Sequence, residues 1–154
     1  TEAFTIADKI AVMNAGQIEQ YASAYDLYHE PQTYFVANFV GEGRFIEGRV
    51  VVAPNTHGVI QTALGEFAVH EEPALAEYEK QALLLVRPDD FVVEPASPHQ
   101  VTVIGRAFRG AHILYTFRHS GSGQDVLCLL PSHHDYQVGT MIGIRLELEH
   151  VIYF

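Results

Sequence analysis

Cysteine is nearly absent from the sequence, with Cys128 the single example among 154 residues. No disulfide can therefore form within the chain, which suits a reducing compartment. Cys128 lies in the apolar run of residues 126–130, and we expect it to be a buried structural thiol rather than a reactive one.

Basic residues are also scarce. The chain has 9 Lys and Arg against 19 Asp and Glu, which gives a formal net charge of −10. Phosphate backbones and anionic membrane surfaces both require a basic face, so we expect neither nucleic acid nor an anionic lipid surface as a partner. Apolar runs of the roughly 20 residues that a membrane-spanning helix needs are missing as well.

Motifs that bind nucleotides or metals are missing from the sequence. No stretch matches the Gly-x-x-x-x-Gly-Lys-Ser/Thr phosphate loop, and residues 70–74 fail the His-Glu-x-x-His zinc pattern at the last position. The Gly-x-Gly stretches at 41–43 and 121–123 lack the third glycine of a dinucleotide site and are typical of turns. We therefore assign no catalytic, cofactor-binding or metal-binding residue in this chain.

Ser132, His133, His134 and Asp135 are the segment that comes nearest to a chemical motif. A Ser-His-Asp triad, however, is assembled from distant parts of a fold, and adjacent residues rarely reach its geometry. A metal site here would need the loop to fold inward and recruit distant ligands. We interpret the segment as a solvated turn between strands.

What the sequence does contain is a central strand, turn and second strand. Residues 83–86 are a short run of branched apolar side chains, typical of a buried strand. Pro88 ends that strand because it has no N–H to donate, and a second extended run follows at 91–93. Arg87 lies at the end of a buried strand, so we expect its charge to be paired with a carboxylate or with backbone carbonyls near the Pro88 turn.

The first 41 residues favour a mixed α/β pattern. We predict a helix ending at residues 2–7, a hairpin of strands 9–13 and 17–21, and two helices at about 23–30 and 33–40. The second helix would carry Phe35, Val36 and Phe39 on one apolar stripe, and Gly41 would end it.

After residue 41 the apolar period changes from helical to twofold. The pattern predicts strands at residues 45–52, 59–64, 67–69, 101–108, 113–119, 126–130 and 141–151, with one helical turn within 73–80. Several short strands with glycine turns indicate a small barrel or sandwich. We therefore predict a mainly β fold with two domains, residues 1–41 and 42–154.

Two stretches of the chain resemble a known family. Residues 2–20 are similar to the end of the nucleotide-binding domain of ABC importer ATPases, and residues 23–41 resemble the helices that link that domain to a regulatory domain. The remainder resembles the transport-associated OB-type (TOBE) regulatory domain. The similarity is carried by residues 45–50, by Leu-Val-Arg-Pro-Asp-Asp at 85–90, where Asp89 replaces the usual Glu, and by residues 139–154.

The resemblance implies an OB-like β-barrel regulatory domain preceded by a short α/β remnant of the ATPase domain. It also implies a longer parent protein that binds ATP and Mg²⁺, couples ATP hydrolysis to solute uptake, and works on the inner, cytoplasmic face of the cell membrane with permease subunits. The regulatory domain is expected to form a homodimer, with the apolar run 151–154 at an edge or interface. Residues 58–65 are most similar to the ferric-iron importers, with polyamine and sugar importers as alternatives.

Two other functions fit the sequence. The barrel could sense an oxyanion such as molybdate, as some transport-associated domains do, and Ser120, Gly121, Ser122 and Gly123 are the candidate ligands. Alternatively, the domain could serve only in dimerisation, which is compatible with the importer assignment.

The missing phosphate-binding motifs generate the first prediction. We expect the purified 154-residue chain to show no ATP binding by calorimetry and no ATP hydrolysis, because the groups that position phosphate and Mg²⁺ are not in its sequence. Robust hydrolysis by a homogeneous preparation would contradict both the motif search and the interpretation of the chain as part of a longer ATPase.

Overall fold

The computed structural model describes residues 8–41 and 43–154. Its elements, in chain order, are β1 (Ile10–Asn14), β2 (Gln17–Ala22), α1 (Ala24–His29), α2 (Tyr34–Val40), β3 (Arg44–Val52), β4 (Val59–Thr62), β5 (Gly65–Ala68), β6 (Tyr78–Val86), β7 (Phe91–Val93), β8 (Gln100–Arg109), β9 (His112–His119), β10 (Asp125–Pro131) and β11 (Met141–Leu146). A single 3₁₀ turn, Pro88–Asp90, joins β6 to β7. The helix predicted for residues 2–7 lies outside the described residues.

The segment before residue 42 begins with the predicted hairpin. Ala15 and Gly16 connect β1 to β2 with φ values of 51° and 80°, the left-handed backbone that a two-residue hairpin turn prefers. The two predicted helices follow. The Ser23 hydroxyl accepts the Asp26 N–H at 3.1 Å and the Thr33 hydroxyl accepts the Val36 N–H at 3.2 Å, so each helix begins at a side-chain cap.

Hairpin and helices enclose a small apolar cluster built on Val12, Leu27 and Val36. The stripe predicted for α2 is wrong at Phe39, which is 64% exposed. Gly41 follows α2 as expected, but its φ of −122° is extended rather than left-handed.

The β-rich part contains two antiparallel sheets. One has four strands in the order β5-β4-β3-β6, and the other has five in the order β10-β9-β8-β11-β7. The mainly β prediction, with a short α/β segment ahead of it, is confirmed. The ladders form two separate sheets among the described residues rather than one continuous barrel wall.

Both sheets contribute side chains to one core. Alternate residues of each strand point inward, as the twofold apolar period requires. The fully buried members include Ile46, Val50, Val52, Ile60 and Leu84 from the first sheet and Val101, Val103, Ile113, Tyr115, Phe117, Val126 and Ile144 from the second. Cys128 is buried among them as predicted, and burial raises the pKa of its thiol to about 12, which makes it unreactive at neutral pH.

Two element boundaries differ most from the prediction. Strand β6 already begins at Tyr78, within the stretch predicted to hold a helical turn, because residues 78–81 pair with β3 through Val52 to Arg49. Their side chains are largely exposed and polar, so no apolar period marks them as a strand. The last predicted strand, 141–151, ends at Leu146, because its partner β7 begins only at Phe91, after the 3₁₀ turn. The Glu147 N–H makes one last bond across, to the Asp90 carbonyl at 2.7 Å.

Gly143 in β11 provides a test of this packing. A Cβ at that position would lie 2.3 Å from the Glu94 carbonyl oxygen and 3.0 Å from that of Pro95, and backbone atoms cannot easily move away. We expect Gly143→Ala to lower the free energy of unfolding in urea by on the order of 1–3 kcal/mol.

Gly105 in β8 is the matched control, because a Cβ there would meet Thr116 at an ordinary 3.7 Å. Gly105→Ala should be close to neutral. Equal urea midpoints for the two variants would show that the close approach around Gly143 is not real.

Candidate functional site

The chain passes from one sheet to the other at residues 87–90. Strand β6 ends at Val86 in the four-stranded sheet, and β7 starts at Phe91 in the five-stranded one. Two hydrogen bonds between Arg87 and Asp90 close the turn. The Asp90 carboxylate accepts the Arg87 N–H at 2.8 Å, and the Asp90 N–H donates to the Arg87 carbonyl at 3.0 Å. Pro88 begins the turn with no N–H left to satisfy.

The end of the chain makes a second crossing beside the first, in the opposite direction. Strand β11 pairs with β7, Leu146 opposite Phe91. The chain then returns to the first sheet, where the Leu85 N–H donates to the Ile152 carbonyl and the Leu83 N–H to the Phe154 carbonyl, both at 2.8 Å. We call the two paired segments, residues 83–93 and 144–154, the crossover ribbon.

The apolar residues 152–154 thus cover the outer edge of β6 in the same chain. The predicted edge position of this run is confirmed in that sense. Its backbone groups satisfy β6 groups that would otherwise be open to another chain.

Arg87 connects the crossover ribbon to the linking helix α1. The residue is 9% exposed. Its guanidinium lies over the Tyr28 ring, 4.3 Å from the centroid, and Nη2 donates a hydrogen bond to the Tyr28 carbonyl oxygen. The predicted structural pairing of Arg87 with a carbonyl is therefore found, but the carbonyl belongs to α1 rather than to the Pro88 turn.

A cavity of about 250 Å³ opens beside this contact. It is lined by Tyr28, His29, Arg87, Asp89, Asp90, Val92, Glu147, Glu149 and His150. Four of these side chains are carboxylic acids, so the lining favours positive charge over an anion. Burial raises the pKa of Asp90, and the hydrogen bond from the Arg87 N–H acts in the opposite direction. Among the described residues, the lining holds no cysteine, serine or lysine that could act as a nucleophile.

Glu71 and Tyr153 anchor the returning end of the ribbon. The Tyr153 hydroxyl donates to Glu71 Oε2 at 2.6 Å, and the Lys80 ammonium pairs with the same carboxylate. These two hydrogen bonds, first that of Lys80 and then that of Tyr153, hold the pKa of Glu71 below its ordinary value. Burial, followed by the bond to Glu71, raises the pKa of Tyr153.

The turn proposed as an oxyanion site uses its polar groups internally. The Ser122 hydroxyl contacts His119 Nδ1 at 2.8 Å and accepts the Gln124 N–H at 3.2 Å, while the Gly123 N–H donates to the His119 carbonyl. The His119 ring is buried, and this burial, with His99 nearby, lowers its pKa. These bonds engage the Ser122 hydroxyl and the Gly123 N–H within the turn.

The Ser-His-His-Asp segment also makes local contacts. Asp135 pairs with Arg106, and the His134 carbonyl accepts a hydrogen bond from the Tyr115 hydroxyl. Within the part of the chain that the structure describes, no group of three or more His, Cys, Asp and Glu side chains could hold a metal ion.

Sequence reasoning identified Arg87, Pro88 and the aspartates that follow, but it missed their partners. Tyr28 meets Arg87 from 59 residues away along the chain, and Tyr153 meets Glu71 across 82 residues, so both pairs form only through the fold. No local spacing links residues so far apart.

Comparison with known proteins shows which family this architecture resembles. Residues 84–154, which contain almost the whole crossover ribbon, match the TOBE domain family. The spermidine/putrescine import ATP-binding protein PotA of Haemophilus influenzae is 27% identical over 93% of this chain and 41% of its own length. This chain carries a TOBE domain, and its relatives are ABC importer ATP-binding subunits.

Other relatives agree with this assignment. PotA of Mesoplasma florum is 30% identical over 72% of this chain and 31% of its own length. The Fe(3+) ions import ATP-binding protein FbpC of Brucella suis is 34% identical over 74% of this chain and 32% of its own length. The TOBE-containing chain thus spans 31–41% of the length of these relatives. None of its described helices is long and apolar enough to cross a membrane.

The Glu71 anchor generates a pH prediction. Because the folded chain lowers the pKa of Glu71, the stabilisation is present above the ordinary value of about 4.5 and is lost as the pH falls through the folded value. We expect Glu71→Gln to cost roughly 1 kcal/mol of unfolding free energy at neutral pH. The cost should shrink as the pH falls below 4.5.

Glu66→Gln on the exposed face of β5 is the control and should change little at any pH. Denaturant titrations of the three proteins between neutral and acidic pH measure both effects. A Glu71→Gln cost that stays constant with pH would exclude a charge-dependent anchor.

Proposed function

We propose that this chain is the regulatory and dimerisation region of the ATP-binding subunit of an ABC importer. The parent couples ATP hydrolysis to solute uptake and binds ATP and Mg²⁺ through its ATPase domain. The observation that carries this proposal is the TOBE match at residues 84–154, together with relatives that are named import ATP-binding proteins. By the same argument the parent works with permease subunits on the inner face of the membrane.

For the solute, we propose ferric iron, with a polyamine as the alternative. The Brucella suis protein, named for Fe(3+) import, supports the first and has the higher identity, 34%. The Haemophilus influenzae and Mesoplasma florum proteins, named for spermidine and putrescine, support the second. Both candidates are cations.

Uptake by cells tests this proposal. Deleting the gene of the parent should abolish uptake of radiolabelled ferric iron, or of radiolabelled spermidine in the alternative, and the full-length gene should restore it. Uptake of a labelled amino acid is the internal control and should not change. Unchanged uptake of both cations in the deletion strain would reject the proposed solutes.

The proposed homodimer is formed mainly by residues after Gly41. Strand β5 lies at the end of its sheet, with backbone groups on one side that no described strand pairs, and such an edge can recruit another chain. Phe108, Val138 and Met141 expose 60–71% of their surfaces and add apolar area. The run 152–154, predicted for the interface, is already engaged with β6 of its own chain.

Sedimentation measures this association. We expect a dimer at micromolar concentration both for the 154-residue chain and for a shortened chain that begins at Gly41. If the shortened chain is strictly monomeric while the longer one dimerises, the contact belongs to the segment before Gly41, and the proposed TOBE interface is wrong.

A further inference from the structure

Two groups of residues in this chain fold around separate apolar clusters. The hairpin and helices of residues 8–41, the hairpin–helix unit, enclose Val12, Leu27 and Val36. The buried residues of the β-rich unit, residues 43–154, form a second cluster that shares no member with the first. Units that do not share an apolar core are held in orientation by the contacts at their junction, and relative motion is expected unless those contacts are strong.

The Arg87–Tyr28 contact lies at this junction. Arg87 belongs to the β-rich unit at the point where the chain changes sheets, and Tyr28 belongs to α1 of the hairpin–helix unit. The contact combines a charge-assisted hydrogen bond to the Tyr28 carbonyl with packing of the guanidinium on the ring, 4.3 Å from its centroid. Removed from water, each is worth more than at an exposed site.

The hydrogen bond also falls at the end of α1. Tyr28 lies in the last turn of this six-residue helix. A cation near the C-terminal end of a helix is favoured by the helix dipole as well. Arg87 therefore stabilises α1 and docks it in one step.

We propose that Arg87 is a positioning residue that docks α1 onto the crossover ribbon and so fixes the orientation of the hairpin–helix unit. Breaking this contact frees α1 from the crossover ribbon and leaves the β core folded, while the Tyr34 ring stays against Phe45, 4.5 Å between centroids, as a second contact across the junction. The released guanidinium then faces the carboxylates of Asp89, Glu147 and Glu149, which line the same cavity and provide alternative partners. The docking role rests on geometry alone. Only its consequence, that a change in the TOBE domain reaches the ATPase segment through this contact, rests on the proposed function.

Amide hydrogen exchange with mass spectrometry tests the proposal on the whole chain. In Arg87→Met, which keeps much of the side-chain volume, we expect the α1 amides, such as that of Leu27 bonded to the Ser23 carbonyl, to exchange about tenfold faster or more. The amides of β8 and β9 in the same variant should exchange as in the unchanged protein. This local response separates docking from a general loss of stability.

Arg106 is a matched control because it makes the same kinds of contact within the β-rich unit. Its guanidinium donates to the Tyr136 carbonyl at 2.5 Å, pairs with Asp135 and lies 5.9 Å from the Tyr115 ring centroid. Arg106→Met should leave α1 exchange unchanged.

Three outcomes would overturn the proposal: unchanged α1 exchange in Arg87→Met, an equal acceleration in β8 and β9, or an equal acceleration of α1 in Arg106→Met. If Arg87→Met does not fold, Arg87→Lys replaces it. Lysine keeps the charge but not the planar group that packs on Tyr28, so α1 exchange should still accelerate. Exchange at the original rate in Arg87→Lys would equally overturn the assignment. None of these results depends on ATP or on the imported solute.

Discussion

The chain crosses twice between two sheets that share one core, and the structure depends on the hydrogen bonds at these crossings. A chain that leaves one sheet for another interrupts its ladder, and every freed backbone group needs a new partner. Here the Asp90 carboxylate accepts the Arg87 N–H, and the Asp90 carbonyl accepts the Glu147 N–H from the second crossing. The two crossings thus satisfy each other, which allows the sheets to lie close enough to bury a common set of side chains.

These bonds bring charges together at a cost. Asp90 is partly withdrawn from water with Asp89 and Glu149 nearby, and its raised pKa records that its charged form is disfavoured there. Arg87 carries the opposite charge and acts to lower the pKa of Asp90, so removing it would leave the Asp90 carboxylate without that favourable interaction. The residue that docks the helix therefore also offsets the repulsion in the turn, and substitutions at Arg87 and at Asp90 should not be additive.

Local features of the fold were predictable because they depend on neighbours in sequence. The apolar run before Pro88, the turn at Gly16 and the cap at Ser23 each contain the residues that cause them. The start of β6 at Tyr78 was not predictable, because exposed polar residues form a strand only when β3 supplies the ladder. The prediction for Phe39 was wrong for a related reason. The helical period shows that Phe39 and Val36 lie near one face of α2, but it does not show which part of that face meets the hairpin.

The sequence identified residues of the candidate site but not their partners. Arg87 at the end of a buried strand signalled that a partner must exist, and Pro88 and Asp90 signalled a turn. Nothing in the sequence indicated that the partner would be the Tyr28 carbonyl, since a backbone oxygen carries no residue identity. The pairing of Glu71 with Tyr153 was unpredictable as well, because neither residue by itself indicates a distant partner.

The pairing of residues 152–154 with β6 has a consequence for the order of folding. Strands β3, β4 and β5, and likewise β8, β9 and β10, are neighbours in sequence as well as in space, so each set closes only short loops. The crossover ribbon joins Leu84 to Tyr153, and closing so long a loop costs more chain entropy before any contact is gained. We therefore expect the two meanders to form before the ribbon that joins them, and until the ribbon forms the edge of β6 would stay open to other chains.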